Sequence, residues 1–199
     1  MTARHIFTAT ASFFILCAQA TAADRVVYKG DVGPGQGKHI LFIASDHEYR
    51  GEETCPSIAR IMAKRYGFKC TVLFGQNEAG LIKPGSSLIP GIEEIEKADM
   101  LFLFLRFVHP EDAWMEKFEG YLKRGGPVIG LRTTTHAFNG LKGKYAYHNY
   151  NGGDDDFVGG FGRQVLGETW NPGLGAGHYG RNHKFATAMH TVPGQNEHP

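Results

Sequence analysis

Apolar residues in this chain gather in short, dense runs. The segments 39–45 (HILFIAS), 69–75 (KCTVLFG), 99–107 (DMLFLFLRF) and 128–131 (VIGL) are nearly free of alternation. Runs of that length and character are expected for strands of a parallel sheet that is covered on both faces. Between them the spacing shifts to the helical period. Ile58, Ile61, Met62 and Tyr66 share a face after Thr54, an N-cap residue type, and Pro56, which a first turn tolerates. Gly67 closes that pattern. Ile92 and Ile95 mark a short helix over 92–98. Trp114, Met115, Phe118, Tyr121 and Leu122 mark another over 110–124, opened by Pro110-Glu111-Asp112 and closed by Lys123, Arg124 and Gly125. The order β-α-β-α-β-α-β predicts an α/β domain with a doubly wound, mostly parallel sheet. Its expected strand order is the flavodoxin-like 2-1-3-4, with right-handed crossovers.

The rest of the chain is less regular. Residues 24–38 read as a flexible lead-in; Gly33-Pro34-Gly35-Gln36-Gly37-Lys38 lacks the spacing of a phosphate loop and precedes a strand. Residues 76–91 form a loop with two Pro and three Gly. Asp154, Asp155 and Asp156 read as a solvated loop. Gly159-Gly160-Phe161-Gly162 leads into a short helix over 163–166 without the dinucleotide-binding spacing, and 183–191 reads as a further strand.

At 199 residues, with 42% hydrophobic and 21% charged residues, the length suits one domain with a core of its own. The net charge of +1, with no Lys/Arg run longer than two, lacks the basic footprint of a nucleic-acid binder. Arg4 and His5 precede the apolar run 6–20, and Ala20-Thr21-Ala22 is a small-x-small cleavage pattern. Residues 1–23 are therefore expected to be a secretory signal peptide, giving a periplasmic or secreted protein with no membrane contact after cleavage. Cys17 leaves with that segment. Cys55 and Cys70 remain and are expected as two buried thiols, with a disulfide as the alternative in an oxidising compartment.

The candidate chemistry lies at one edge of the inferred sheet, where open α/β folds bind ligands. After the first strand come Asp46, His47, Glu48, Tyr49 and Arg50. After the third come Arg106 and His109. After the fourth come Arg132, Thr133, Thr134 and His136. Three strand ends thus deliver ionisable groups to one rim. His47 and His136 are the acid–base candidates. Asp46, Glu48, Tyr49, Arg50, Arg106, Arg132, Thr133 and Thr134 are the substrate-binding candidates, with His178 from a late Gly-rich loop folding over the rim. An arginine inside an apolar strand needs a partner, and Asp46 or Glu48 is the expected partner of Arg106. His148, His190 and His198 read as background. No cofactor is predicted. A divalent metal on His47, His136 and His178 is the alternative, though no metal-ligand spacing supports it. The strand-to-helix elbow that carries Ser or Cys in hydrolases of this architecture has Arg132 here, so a nucleophile by that route is not expected.

In combination, HILFIASDHEYR, ARIMAKRYGFKCTVLF, ADMLFLFLRF, GGPVIGLRTTTHAF, GGFGRQVLGETW and GHYGRNH resemble the ThuA-like (trehalose-utilisation) domains, relatives of the class I glutamine amidotransferases. The resemblance covers residues 39–184 and implies a class I glutamine amidotransferase-like, flavodoxin-like fold without the amidotransferase cysteine. It makes 39–199 the ThuA-like domain, and the chain ends before the last elements expected of one. It also implies a carbohydrate ligand, trehalose-like or a keto-sugar. Many relatives carry His two residues after the strand-end glycine; this chain has Arg132 there and brings in His136 later. The expectations are an exported sugar-processing protein, a non-catalytic sugar- or protein-binding module, or a metal-dependent hydrolase. A homo-oligomer is compatible with each.

Overall fold

The four apolar runs become the parallel strands of one sheet. A computed structural model describes residues 25–153 and 157–170. The elements are β1 (Arg25–Tyr28), β2 (His39–Ser45), α1 (Gly51–Tyr66), β3 (Lys69–Phe74), β4 (Met100–Leu105), α2 (Asp112–Lys123) and β5 (Val128–Gly130). The 3-10 turns Ile92–Lys97, Arg132–His136 and Gly143–His148 and a π turn at Gly162–Leu166 complete it. The sheet order is β1-β3-β2-β4-β5. β2 pairs parallel with both β3 and β4, and β4 parallel with β5. The parallel strands thus stand in the order expected from the sequence, inside a mixed five-stranded sheet.

Strand period decides what covers each face. Leu41, Ile43, Leu73, Leu101, Leu103 and Leu105 pack with Trp114, Met115, Phe118 and Tyr121 of α2. Ile40, Phe42, Ala44, Val72, Phe74, Phe102 and Phe104 point the other way, onto α1. Both faces are therefore buried, which is why these strands carry no polar alternation.

Three expectations are corrected. The lead-in is not a loose arm: β1 pairs antiparallel with β3, and Arg25 bridges to Glu93 and Glu94 at 2.7 and 3.0 Å. Gly30 and Gly35 then donate to the carbonyls of Phe68 and Tyr66. A short edge strand with Val26 and Val27 half-exposed leaves no strong apolar run to read. Second, α1 begins at Gly51, not Thr54, and holds Pro56 inside it. The start is fixed from outside the helix. Asp46 Oδ1 accepts the N–H groups of Glu48 and Tyr49, and the Arg50 carbonyl accepts those of Glu53 and Thr54. Third, the buried stripe of α1 is Gly51, Cys55, Ala59 and Ala63, while Ile61 is exposed. Small residues on the helix meet Phe42, Phe102 and Phe104 on the sheet, so large and small interlock. Cys55 and Cys70 are free and buried in that layer, as two thiols. Among the described residues no helix is long and apolar enough to cross a membrane. Residues 1–24, Asp154 to Asp156, and the segment carrying His178, His183, His190 and His198 lie outside the described residues.

Candidate functional site

The carboxyl ends of β2, β4 and β5 share an unusual backbone feature. Among the described residues, the non-glycine residues with positive φ are Arg50 (55°), Phe107 (54°) and Arg132 (45°). Each follows one of those strand ends. A side chain in the left-handed region costs about 1–2 kcal/mol, so it persists only where the surroundings impose it. At β5 the conformation makes an elbow. Leu131 N–H still reaches the Leu103 carbonyl (2.8 Å), then Arg132 turns the chain into the 3-10 turn that carries Thr133 to His136.

The frame beneath the rim is polar and buried. Asp46 is 1% exposed and Thr133 2%. Asp46 Oδ1 takes the N–H groups of Glu48 (2.7 Å) and Tyr49 (2.6 Å), and its Oδ2 accepts the Thr133 hydroxyl. One carboxylate therefore shapes the loop after β2 and ties it to the turn after β5. Thr134 is fully buried; its hydroxyl lies within bonding distance of the Leu131 and Leu103 carbonyls and accepts from Leu105 N–H. Asp46, Thr133 and Thr134 thus belong to the frame and do not stand at the ligand-facing surface, where the sequence reading put them.

Above that frame two guanidinium groups are fixed by neighbours. Arg106 Nη1 lies 2.6 Å from His47 Nε2, and its Nε lies 3.0 Å from Glu48 Oε2, without the N–H aimed along that line. Its guanidinium also sits 4.8 Å from the Phe107 ring centroid. The expected acidic partner of Arg106 is therefore Glu48; Asp46 faces inward. Arg132 stacks on Tyr49 at 4.5 Å and donates to its hydroxyl at 2.8 Å. Arg50 pairs with Glu53 along α1, exposed, so its part in the rim is the backbone turn. His109 is exposed, with its N–H on Ser87 Oγ.

His136 is 4% exposed, with Nδ1 3.2 Å from Thr135 Oγ1. Its ring lies 5.0 Å from Phe107 and 5.0 Å from Trp170, and Tyr150 closes the group at 5.5 Å from each of those two. His47 and His136 are thus on the same side of the molecule, linked through Arg106 and Phe107. Phe107, Tyr150 and Trp170, all half-buried, form an aromatic wall that the sequence reading did not assign to the site. For Tyr150 and Trp170 the available signal was an aromatic residue inside a glycine-rich, non-periodic stretch, where helix packing does not explain it; Phe107 reads only as the end of the run 99–107.

The loop 76–91 closes the other flank. Ser45 Oγ donates to the Ser86 carbonyl at 2.6 Å, and Gly85 lies against the His47 ring. Beside it is a cavity of about 570 Å³ lined by Gln76, Asn77, Lys83, Ser86 and Leu88. Among the described residues no three His, Cys, Asp or Glu side chains gather closely enough to hold a metal ion. His148, read as background, is buried against Phe118, Phe138, Tyr147 and Phe157. Burial lowers its pKa to about 4, opposed by Glu119, whose Oε1 is 3.9 Å away. It is a core residue, packed among aromatic rings and 2% exposed.

What the rim can do follows from these groups. It presents planar cations, an ion pair, an imidazole and flat apolar surfaces within one patch, and no serine or cysteine stands at its elbow. Comparison of the chain with protein-family models, with curated proteins and with solved structures gives no match.

Proposed function

We propose that this rim binds a carbohydrate, and that the chain is an exported ThuA-like domain protein with a flavodoxin-like sheet. The observation that carries the reading is the pairing of half-buried rings (Phe107, Tyr150, Trp170) with Arg106, Glu48 and His47 at one strand-end patch. A sugar ring has C–H faces that suit aromatic surfaces and hydroxyls that suit charged, planar hydrogen-bonding groups. The order β3-β2-β4-β5 supports the flavodoxin-like assignment. The residues 1–23 support export, to the periplasm or outside the cell; recovery of the mature protein with Ala23 or Asp24 at its amino terminus would test that.

Any catalysis here is acid–base, with His47 and His136 the candidate proton carriers. A second reading, a binding module without turnover, is favoured by Arg132, which occupies the elbow where a nucleophile would stand. A thermal-shift screen against a panel of mono- and disaccharides, keto-sugars included, tests the binding. The expected result is stabilisation by some members, abolished in Trp170→Ala and reduced in Arg106→Ala. Stabilisation that survives both substitutions would move the site elsewhere. Chemical change of a bound sugar, lost in His136→Ala, would separate enzyme from module.

A further inference from the structure

The inference rests on the carbohydrate reading of the rim and assigns His47 its part there. Arg106 Nη1 lies 2.6 Å from His47 Nε2. A guanidinium carries only donors and keeps its charge, so the shared hydrogen belongs to Arg106 and Nε2 accepts with its lone pair. The imidazole in that contact is neutral and holds its own hydrogen on Nδ1. Nδ1 faces the loop after β3, where a Cβ added at Gly85 would stand 2.7 Å from it. That loop is tied down on several sides. Lys83 N–H donates to the Gly75 carbonyl (2.7 Å), Ser45 Oγ to the Ser86 carbonyl (2.6 Å), Ser86 Oγ to the Gln76 carbonyl (2.6 Å), and His109 N–H to Ser87 Oγ (2.9 Å). The imidazole is thus lodged between an anchored loop and a guanidinium.

A general base needs a lone pair turned to the reacting group, and a general acid needs a hydrogen there. His47 turns its lone pair to Arg106 and its Nδ1 side to the Gly85 backbone. Neither ring nitrogen is left for proton exchange with a ligand. Arg106, in turn, is held from three directions. Nη1 is on His47, Nε lies 3.0 Å from Glu48 Oε2, and the guanidinium lies 4.8 Å from the centroid of the Phe107 ring. Phe107 is the ring on which Tyr150 and Trp170 close the aromatic wall.

We infer that His47 is a positioning residue: a neutral acceptor, braced by the Gly85 loop, that holds the Arg106 guanidinium on the aromatic wall and carries no proton to or from a ligand. The acid–base assignment then falls to His136. The test uses the whole mature chain as wild type, Arg106→Met, His47→Leu and His47→Gln, whose amide oxygen keeps an acceptor for Arg106. Long-range proton–nitrogen NMR at pH 8, assigned with His47→Gln, reads the tautomer of the His47 ring in the free protein. Wild type should show the Nδ1–H tautomer, and Arg106→Met should move the ring toward Nε2–H. Thermal-shift titrations with trehalose, glucose and fructose read the rim. His47→Leu should weaken the sugars that bind by about ten-fold, the loss expected for a hydrogen bond to a charged group, and His47→Gln should recover most of it. Any turnover should likewise recover in His47→Gln and stay lost in His136→Ala. An Nε2–H tautomer in wild type, or the same tautomer after Arg106→Met, overturns the inference. A His47→Gln variant as weak as His47→Leu also overturns it, while leaving the carbohydrate reading intact. Binding of none of the three sugars by wild type counts against the carbohydrate reading, and the tautomer still decides whether His47 holds Arg106.

Discussion

Thr133→Val is the sharpest single perturbation of the frame. Thr133 and Asp46 are 87 residues apart in sequence, and the threonine hydroxyl is the donor to Asp46 Oδ2. Valine keeps the branched shape, so no cavity opens; what is lost is the donor to a carboxylate oxygen in a site 1% exposed. A hydrogen bond to a charged group contributes about 1.5–3 kcal/mol, and a buried acceptor left without its donor retains that cost in full. The expected loss is about 2 kcal/mol, a visible fraction of the roughly 5–15 kcal/mol by which a domain is stable. Thr133→Ser keeps the hydroxyl and removes one methyl, so its loss should stay near ~1 kcal/mol. Urea unfolding followed by circular dichroism measures both, with an unchanged m-value showing that the same surface is exposed. If the valine variant unfolds within about 0.5 kcal/mol of wild type, or the serine variant is as costly as the valine one, Asp46 is not the tie between the two strand ends.

The remaining predictions concern three buried groups and one helix glycine. His148 is buried neutral with its pKa lowered to about 4. The unfolded chain therefore binds the proton first, and stability should fall as pH drops from about 6.5 to about 4, by roughly 3 kcal/mol across the window. Urea midpoints at pH 7, 5.5 and 4 check this, and His148→Phe should flatten the slope. Cys55 and Cys70 thiols are pushed up to about 12 and about 11 by burial. Native protein at pH 8 should therefore leave both unreacted toward a disulfide-exchange reagent and titrate both on unfolding. A Cβ at Gly120, inside α2, would meet nothing within 4 Å. Gly120→Ala should stabilise by about 0.5–1 kcal/mol, read as a raised urea midpoint.

The sheet was legible because burial on both faces leaves a mark in composition: Leu101 to Leu105 and Ile40 to Ala44 are apolar at every position. The order β3-β2-β4-β5 is one of those that alternating elements allow, and the sheet adopts it. What the sequence did not disclose depends on contacts between distant residues. The start of α1 is set by the Asp46 carboxylate and the left-handed Arg50, neither of which helix propensity registers. β1 is an edge strand held by pairing to β3 and by Arg25 with Glu93 and Glu94, so its register is tertiary. At the site, charge at strand ends was readable, and it brought His47, Glu48, Tyr49, Arg106, Arg132 and His136 to one rim. Which of them face a ligand was not readable. Asp46, Thr133 and Thr134 have the same residue chemistry as a binding group, yet their bonds turn inward. Tyr150 and Trp170 carry no periodicity and Phe107 reads as the end of a strand; they become a wall only once the three segments meet.

The chain has two tryptophans, Trp114 on the buried face of α2 and Trp170 in the wall beside His136. Trp114→Phe therefore leaves the rim with the sole indole, and its fluorescence during titration with the sugar panel reports directly on a ligand at that place. The account predicts a saturable change in Trp170 emission for the same sugars that stabilise the protein, weakened in Arg106→Ala. Stabilising sugars that leave Trp170 emission unchanged would contradict it.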